Sequence, residues 1–257
     1  MIPETIFVII FILGACIGSF LNVCIYRIPR NQSIISPRSS CPFCKKTIPI
    51  YFNIPLISFL ILKGKCKYCL KPISLVYPSI ETLTGFFALI LFMKFGFTLE
   101  TLFWFVFICV LLVISFIDMA TQTIPDIISL PCIIIFSLSC FFIPEISFKD
   151  TLAGIFIGGG ILYFTALLYY LIRKEHGMGG GDIKLIAMIG AATGFKGVLF
   201  TIFTGSVFGT FLGIIIIFKK NEDIKLKIPF APFLSAGVIT YIFFGKQFIY
   251  WYFNVLS

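Results

Sequence analysis

Two aspartates in this sequence stand where an acid could take part in catalysis. Asp118 lies at the end of a long apolar stretch, and Asp182 lies directly after Gly179, Gly180 and Gly181 and before the next one. An ionisable residue at the edge of a membrane-spanning segment indicates function, because burying it costs free energy. Capping does not explain Asp118, since the dipole at a helix C-terminus disfavours an anion. When two carboxylates are held close together one keeps its proton, and such a pair can activate water and polarise a carbonyl group.

The glycines before Asp182 leave the backbone bare, which suits the close approach of an extended polypeptide. We therefore expect Gly179, Gly180 and Gly181 to contact a substrate. The alternative is a flexible loop followed by an N-capping aspartate. The sequence does not decide whether Asp118 and Asp182 meet. A third carboxylate in this region, Asp126, follows a proline and is explained by the start of a helix.

Four cysteines form two CxxC pairs in the one sizeable polar segment. Cys41 pairs with Cys44 and Cys66 with Cys69, and 21 residues separate the pairs. This spacing is typical of four thiolates that hold one structural Zn²⁺, and the metal would supply folding energy to a loop too small for its own core. Thiol–disulfide exchange is the alternative for CxxC pairs. A membrane-bound exchanger would place its CxxC pairs on the oxidising side, whereas the charge distribution of this sequence predicts that they face the reducing cytoplasm.

In the predicted fold, membrane-spanning helices hold these residues in place. Of 257 residues, 59% are hydrophobic and 12% are charged, whereas soluble domains carry about 25% charged residues. The sequence predicts an all-α polytopic membrane protein with about eight transmembrane helices. The predicted spans are residues 6–25, 75–95, 101–117, 127–143, 151–172, 185–195, 197–218 and 228–253.

The distribution of basic residues gives the predicted orientation. With eight spans, sixteen of the 20 Lys and Arg lie on one side, nine of them between Arg27 and Lys71. The positive-inside rule makes that side cytoplasmic and puts both termini outside. The chain then divides into a first transmembrane helix (1–26), a small cytoplasmic zinc-binding loop between helices 1 and 2 (27–74) and a transmembrane domain (75–257). The net charge of +9 reflects this topology and contact with the lipid bilayer, and no nucleic-acid partner is expected.

Six segments, in order along almost the whole chain, resemble the prepilin peptidases, which are polytopic aspartic proteases of the GxGD type. The segments are GSFLNVCIYRIP (18–29), CPFCKKTIPIYFNIPLISFLILKGKCKYC (41–69), ISLVYPSIETLTG (73–85), DMATQTIPD (118–126), GMGGGDIKL (177–185) and IPFAPFLSAG (228–237). The resemblance implies that Asp118 and Asp182 are the catalytic aspartates and that 75–257 is the aspartic peptidase domain. It also implies removal of the short basic leader from type IV prepilins or pseudopilins at the cytoplasmic face of the bacterial cell membrane.

The resemblance further implies N-methylation of the new terminus with S-adenosylmethionine as cofactor. Gly64 and Lys65 match positions that are tied to methylation in the family, and they are the predicted cofactor-binding residues. Glu81 matches a family glutamate, for which substrate contact and a structural role are both open. All four cysteines are present in this chain. The resemblance therefore implies that it is not one of the truncated family members, which lack the cysteine loop and carry peptidase activity alone.

Two other functions are alternatives to the one that this resemblance implies. Presenilin-like or signal-peptide-peptidase-like enzymes share the GxGD chemistry, but Ile117 stands where they have Tyr before the first aspartate, and their Pro-Ala-Leu segment is missing. A transporter or assembly factor would use the aspartates in an ion pathway. That function would not explain why the glycines before Asp182 and the cysteine loop occur in the same chain. The single histidine, His176, is interpreted as a loop residue.

Overall fold

The structure is a computed structural model that describes residues 4–174, 179–220 and 229–256. The regular elements in these residues are helices, accompanied by two isolated β-bridges. His176, Gly177, Met178 and Ile228, which belong to the predicted loop and motifs, lie outside the described residues.

The described residues form nine α-helices and two short 3-10 turns, Ile28–Arg30 and Ile50–Phe52. The helices are α1 (Glu4–Arg27), α2 (Ile57–Ile61), α3 (Val76–Phe95), α4 (Leu99–Thr121), α5 (Asp126–Phe136), α6 (Ser139–Phe142), α7 (Phe148–Arg173), α8 (Gly180–Lys220) and α9 (Ala231–Leu256). Within the described ranges, α1, α3, α4, α7 and α8 are long and apolar enough to cross a membrane. The predicted all-α membrane class is confirmed, whereas these five helices do not reproduce the predicted eight.

The predicted fourth span, 127–143, is two short helices instead of one. Pro131 lies inside α5, where it cannot donate a helical hydrogen bond. The Ser137 hydroxyl donates to the Ile133 carbonyl at 2.7 Å, a bond that competes with regular helix. The 11 residues of α5 extend about 16 Å, roughly half of the hydrocarbon core.

The predicted sixth and seventh spans, 185–195 and 197–218, are joined in α8 across a break at Gly194. Gly194 has φ 69° and ψ −175°, a conformation that favours glycine. A Cβ on Gly158 of α7 would lie 3.1 Å from both the Ile186 carbonyl oxygen and Val198 Cγ1. Twelve residues of continuous helix would hold Ile186 and Val198 about 18 Å apart. The chain therefore folds back at Gly194, and α8 consists of two helical segments.

The chain divides into two compact units, Met1–Val113 and Ile114–Ser257. In the first unit α1 packs against α3, and a Cβ on Gly18 would lie 2.8 Å from Glu81 Cα. In the second unit α8 packs against α5, α7 and α9. The second unit therefore has α8 at its centre, and Asp182 lies in the first turn of this helix.

The contact between α7 and α8 depends on glycine. A Cβ on Gly154 would collide with the carbonyl oxygen of Gly190, and a Cβ on Gly190 with that of Gly154. The glycine triplet at residues 158–160 of α7 predicts tight helix packing. Gly158 lies close to α8 as this pattern predicts, whereas a Cβ on Gly160 would meet open space.

We expect Gly154→Ala to destabilise the second unit by about 1–3 kcal/mol, because the added methyl group has no room between the two backbones. Gly160→Ala is the matched control. It places the same methyl group in the same helix without a clash and is expected to be neutral or slightly stabilising. Unfolding in mixed detergent micelles measures both changes. Equal stability of the two variants would contradict the packing argument.

Candidate active site

Asp118 is buried near the end of α4 and has a specific partner. Its side chain is 5% exposed, and its Oδ2 accepts the backbone N–H of Ala231 at 3.1 Å. Ala231 is the first residue of α9, where backbone N–H groups lack helical partners and the helix dipole is positive. The N-terminus of α9 therefore provides the favourable environment for an acid that the end of α4 lacks.

A second polar contact joins the same two helices. Ser115 Oγ donates to Ser235 Oγ at 2.8 Å, and both side chains are buried. Ser115 lies one turn before Asp118, and Ser235 lies one turn after Ala231. The two bonds fix the orientation of α4 against α9 and thereby the position of the Asp118 carboxylate. The sequence pattern singled out the segment 228–237 but did not predict the Ser115–Ser235 hydrogen bond. A serine one turn from an aspartate in an apolar helix could have indicated a polar contact there.

Asp182 lies in the first turn of α8 and is half-buried. Its backbone N–H donates to the Gly179 carbonyl at 3.2 Å. The side chain is close enough to Asp118 for the charge of one carboxylate to act on the other. Both predicted aspartates thus lie in the second unit, within range of each other's charge, and each is beside a helix N-terminus that favours negative charge.

The three glycines before Asp182 have different surroundings. A Cβ on Gly181 would lie 2.8 Å from Ile124 Cβ, so this glycine allows the connection between α4 and α5 to pack against α8. Gly179 and Gly180 are exposed, and a Cβ on Gly180 would meet open space. Only Gly179 and Gly180 leave backbone free for an approaching chain, and substrate contact at all three stays a prediction.

An ion pair that sequence reasoning missed lies beside this site. Lys184 Nζ is 2.6 Å from Asp126 Oδ1, so the first turns of α5 and α8 are linked. Asp126 starts its helix as predicted. Lys184 is one of the sixteen basic residues on the predicted cytoplasmic side, and its position two residues after Asp182 indicates the same membrane edge.

We expect Lys184→Ala to lower the catalytic rate of this site by only a few-fold. The two side chains are 35% and 58% exposed, and exposed ion pairs contribute about 0.2–1 kcal/mol. The charge-swapped double variant Lys184→Asp with Asp126→Lys should recover part of the loss. Substrate turnover at low and high salt measures this. A loss above about a hundredfold would mean that Lys184 acts directly in the chemistry.

Glu81 lies in the first unit and is 8% exposed. Its Oε2 accepts the Leu56 N–H at 2.8 Å, and its side chain also hydrogen bonds to Ser19. Leu56 precedes α2 and has φ 60°, which is uncommon for a residue with a side chain. Glu81 therefore holds the polar segment between α1 and α3 against α3. Its predicted contact with substrate stays a prediction.

The four predicted metal ligands come together in the first unit. The sulfur atoms of Cys41, Cys44, Cys66 and Cys69 all lie within 4.8 Å of one another, and Cys41 Sγ is 3.8 Å from Cys69 Sγ. Tetrahedral bonds of about 2.3 Å to zinc would separate sulfur atoms by about 3.8 Å. The cluster therefore matches the size of a four-thiolate zinc site.

The two CxxC turns have the same local structure, offset by 25 residues. In the first, the Cys41 N–H donates to the Lys46 carbonyl; in the second, the Cys66 N–H donates to the Lys71 carbonyl. Backbone N–H groups of Cys69 and Tyr68 hydrogen bond to the Cys66 sulfur and lower the pKa of this thiol to about 6. These N–H groups thus favour the thiolate of Cys66, the form that binds metal.

Gly64 and Lys65, the predicted cofactor-binding residues, lie directly before the second turn. Gly64 has φ +68°, and a Cβ there would lie 3.1 Å from Phe59 Cζ. Lys65 pairs with Pro72 in a β-bridge, and its side chain is exposed. Their role in cofactor binding stays a prediction.

Sequence comparisons agree with this geometry. A profile of the Bacterial Peptidase A24 N-terminal domain matches residues 12–95, and a profile of the Type IV leader peptidase family matches residues 105–214. The prepilin leader peptidase/N-methyltransferase of Aeromonas hydrophila is 31% identical over 278 residues, which cover 98% of this chain and 95% of the relative. The chain belongs to the type IV leader peptidase family.

Relatives of the same name extend the match to other bacteria. The Bacillus subtilis protein is 34% identical and covers 95% of this chain and 96% of its own length. The Neisseria gonorrhoeae protein is 34% identical and covers 88% of this chain and 86% of its own length. No solved structure matches the chain. Membership of the leader peptidase family favours the predicted resemblance over the presenilin-like alternative.

Proposed function

We propose that this chain is a membrane aspartic endopeptidase that removes the basic leader from type IV prepilins or pseudopilins, with Asp118 and Asp182 as its catalytic residues. The placement of these two carboxylates in one unit, within range of each other's charge, carries the proposal. Family membership and the names of the relatives support the substrate class. The presenilin-like alternative has no comparable support.

The proposed reaction is hydrolysis of one peptide bond by water between the carboxylates. The ionised carboxylate takes a proton from water, and the protonated carboxyl group donates its hydrogen to the scissile carbonyl oxygen. The hydroxide oxygen bonds to the carbonyl carbon, the C–N bond breaks, and a proton passes to the leaving nitrogen. The products are the leader with a carboxylate and the mature chain with a new amine. Exposed backbone at Gly179 and Gly180 gives an extended substrate room beside Asp182.

The proposed topology has eight spans with both termini outside the cytoplasm of a bacterial cell. It counts α5 with α6 as one span and the two segments of α8 as two, beside α1, α3, α4, α7 and α9. The alternation of sides then puts Asp118 and Asp182 at the cytoplasmic face. The excess of basic residues on that side supports this orientation.

We also propose that the cysteine cluster holds structural zinc and that the enzyme methylates the new amine. The sulfur–sulfur distances and the four-cysteine ligand set support zinc. The names of the relatives include N-methyltransferase, which supports S-adenosylmethionine as cofactor. When bound, that cofactor supplies a reactive methyl group on its sulfonium.

Co-expression with a model prepilin in a host that lacks its own leader peptidase tests the proposal. Leader removal is followed by gel shift, and the mass of the mature N-terminus reports methylation. We expect the chain to remove the leader at one bond. An intact leader on several different prepilins, with the chain inserted in the membrane, would contradict the proposed function.

A further inference from the structure

Within the segment between α1 and α3, one stretch is free of charge and yet exposed. Residues 47–62 contain no Asp, Glu, Lys, Arg or His. Six of their large side chains are between 46% and 74% exposed: Ile50, Tyr51, Ile54, Ile57, Leu60 and Ile61. A continuous apolar surface of this kind marks a site of interaction with a protein or a membrane. The uncharged stretch is too short to cross a bilayer, and an exposed apolar stretch of such length is typical of the membrane interface.

The short helix α2 presents the centre of this surface. Ile57, Leu60 and Ile61 are spaced three and four residues apart, so they share one face of the helix. All three side chains are exposed. Ser58 lies on the opposite side, where it is buried and its hydroxyl donates to the Tyr51 carbonyl at 3.4 Å. The helix therefore has a packed side and an exposed apolar face.

The hydrogen bonds around Glu81 place this face beside the membrane-spanning helices. Leu56, directly before α2, donates its N–H to Glu81 Oε2 at 2.8 Å. Glu81 is the sixth residue of α3, about 7.5 Å along the helix from Val76, and it also hydrogen bonds to Ser19 of α1. Because α1 and α3 are apolar enough to cross a membrane, α2 starts alongside α3 and not beyond its end. Interfacial helices bury their apolar face to a similar depth, roughly 5–10 Å.

Basic residues flank the uncharged stretch on both sides. Lys45 and Lys46 precede it, and Lys63 and Lys65 follow it. Residues 27–71 contain nine Lys and Arg and no acidic residue, and the remaining 11 basic residues of the chain balance its 11 acidic ones. Cations beside apolar surface bind anionic headgroups, and lysine reaches the phosphates while its stem covers apolar surface. The same charge repels a basic leader peptide, so it favours lipid over the leader as the partner.

We propose that residues 47–62 dock on the surface of an anionic bilayer. The apolar face of α2 lies among the acyl chains just below the headgroups, and the flanking lysines bind lipid phosphates. This inference goes beyond leader cleavage, and it uses the proposed topology only to assign the surface to the cytoplasmic leaflet. Docking holds the segment that carries the four cysteines against the membrane.

Quenching of tryptophan fluorescence by brominated phospholipids tests the proposal on the full chain in nanodiscs. The probe is Leu60→Trp, because Leu60 is 73% exposed and a larger ring fits there. The signal of the parent chain, which has two tryptophans, is subtracted. In bilayers with phosphatidylglycerol, bromine near the headgroups should quench the added tryptophan more strongly than bromine at the bilayer centre. Both leaflets of a nanodisc have the same composition, so the result does not depend on topology.

Further substitutions in the Leu60→Trp chain separate the apolar and the electrostatic contributions. Ile61→Asn should lower the quenching several-fold, since it places an amide in the apolar face. Ile35→Asn is the matched control, because Ile35 is also exposed and lies outside the uncharged stretch. Lys63→Glu should lower the quenching by repelling anionic lipid, and Lys149→Glu, in the first turn of α7, should leave it unchanged.

An added tryptophan that no brominated lipid quenches would place α2 in water and overturn the proposal. Equal loss of quenching in Ile61→Asn and Ile35→Asn would overturn the role of the apolar face. Equal quenching with phosphatidylcholine alone and with phosphatidylglycerol, unchanged by Lys63→Glu, would overturn the role of anionic lipid. A tryptophan that a prepilin shifts in emission, and that lipid does not quench, would assign the face to the substrate instead.

Leader cleavage by the same nanodiscs separates this proposal from the proposed function. Cleavage without quenching rejects the docking surface alone, and quenching without cleavage rejects the peptidase function alone. Circular dichroism and thermal unfolding of each variant identify chains that have not folded.

Discussion

Asp118→Asn and Asp182→Asn are each expected to lower leader cleavage by roughly 10²–10⁴-fold. Asparagine has the shape of aspartate but neither takes a proton from water nor exists as a protonated acid. In the Asp118→Asn variant the amide oxygen can still accept the Ala231 N–H, so the contact between α4 and α9 should persist. The measurement is the initial rate of leader removal from a purified prepilin by chain reconstituted in lipid.

Asp150→Asn is the matched control for these substitutions. Asp150 lies in the first turn of α7, where its carboxylate accepts hydrogen bonds from Ser147. Asparagine retains an acceptor there, so cleavage should stay within a few-fold of wild type. Wild-type cleavage by either Asp118→Asn or Asp182→Asn would remove that residue from the catalytic pair. Equal loss in all three variants would indicate damage to the fold instead.

Removal of zinc is expected to unfold the polar segment between α1 and α3. Structural zinc contributes about 10–16 kcal/mol of apparent binding free energy in small zinc domains, and this segment has few buried residues of its own. Cys41→Ser should therefore reduce bound zinc from one ion per chain to none. Elemental analysis measures the metal, and hydrogen exchange of residues 31–74 measures the unfolding.

Cys16→Ser is the control, because Cys16 is exposed on α1 and lies outside the sulfur cluster. Zinc content and exchange should match wild type. A full complement of zinc in Cys41→Ser would mean that the metal is held elsewhere. Unchanged exchange after the metal is stripped by a chelator would mean that the segment is stable without it.

The sequence predicted the helical membrane class and the cysteine cluster because both depend on local pattern. Long apolar stretches form helices in a bilayer because backbone hydrogen bonds must be satisfied within the segment. The two CxxC turns repeat one local structure, so their spacing was informative before any tertiary contact was known. The positions of Asp118 and Asp182 at helix ends were predicted for the same reason.

What the sequence could not predict depends on contacts between distant elements. The Ala231 N–H reaches Asp118 across 113 residues, and no local pattern reports which helix N-terminus will lie beside which acid. Lys184 and Asp126 are likewise 58 residues apart. The contact of Gly154 with Gly190 also joins two different helices, and a lone glycine in each does not indicate which backbone will lie beside it.

The break at Gly194 bears on how this protein enters the bilayer during synthesis. The segment from Gly180 to the break is about 21 Å long and carries Asp182 and Lys184 in its first turns, so it is a poor candidate for insertion alone. The segment after the break is longer and apolar, and the fold-back at Gly194 places the two side by side. We therefore expect the two segments of α8 to insert into lipid together as a helical hairpin. Insertion of the apolar segment after Gly194 then places Asp182 at the membrane edge.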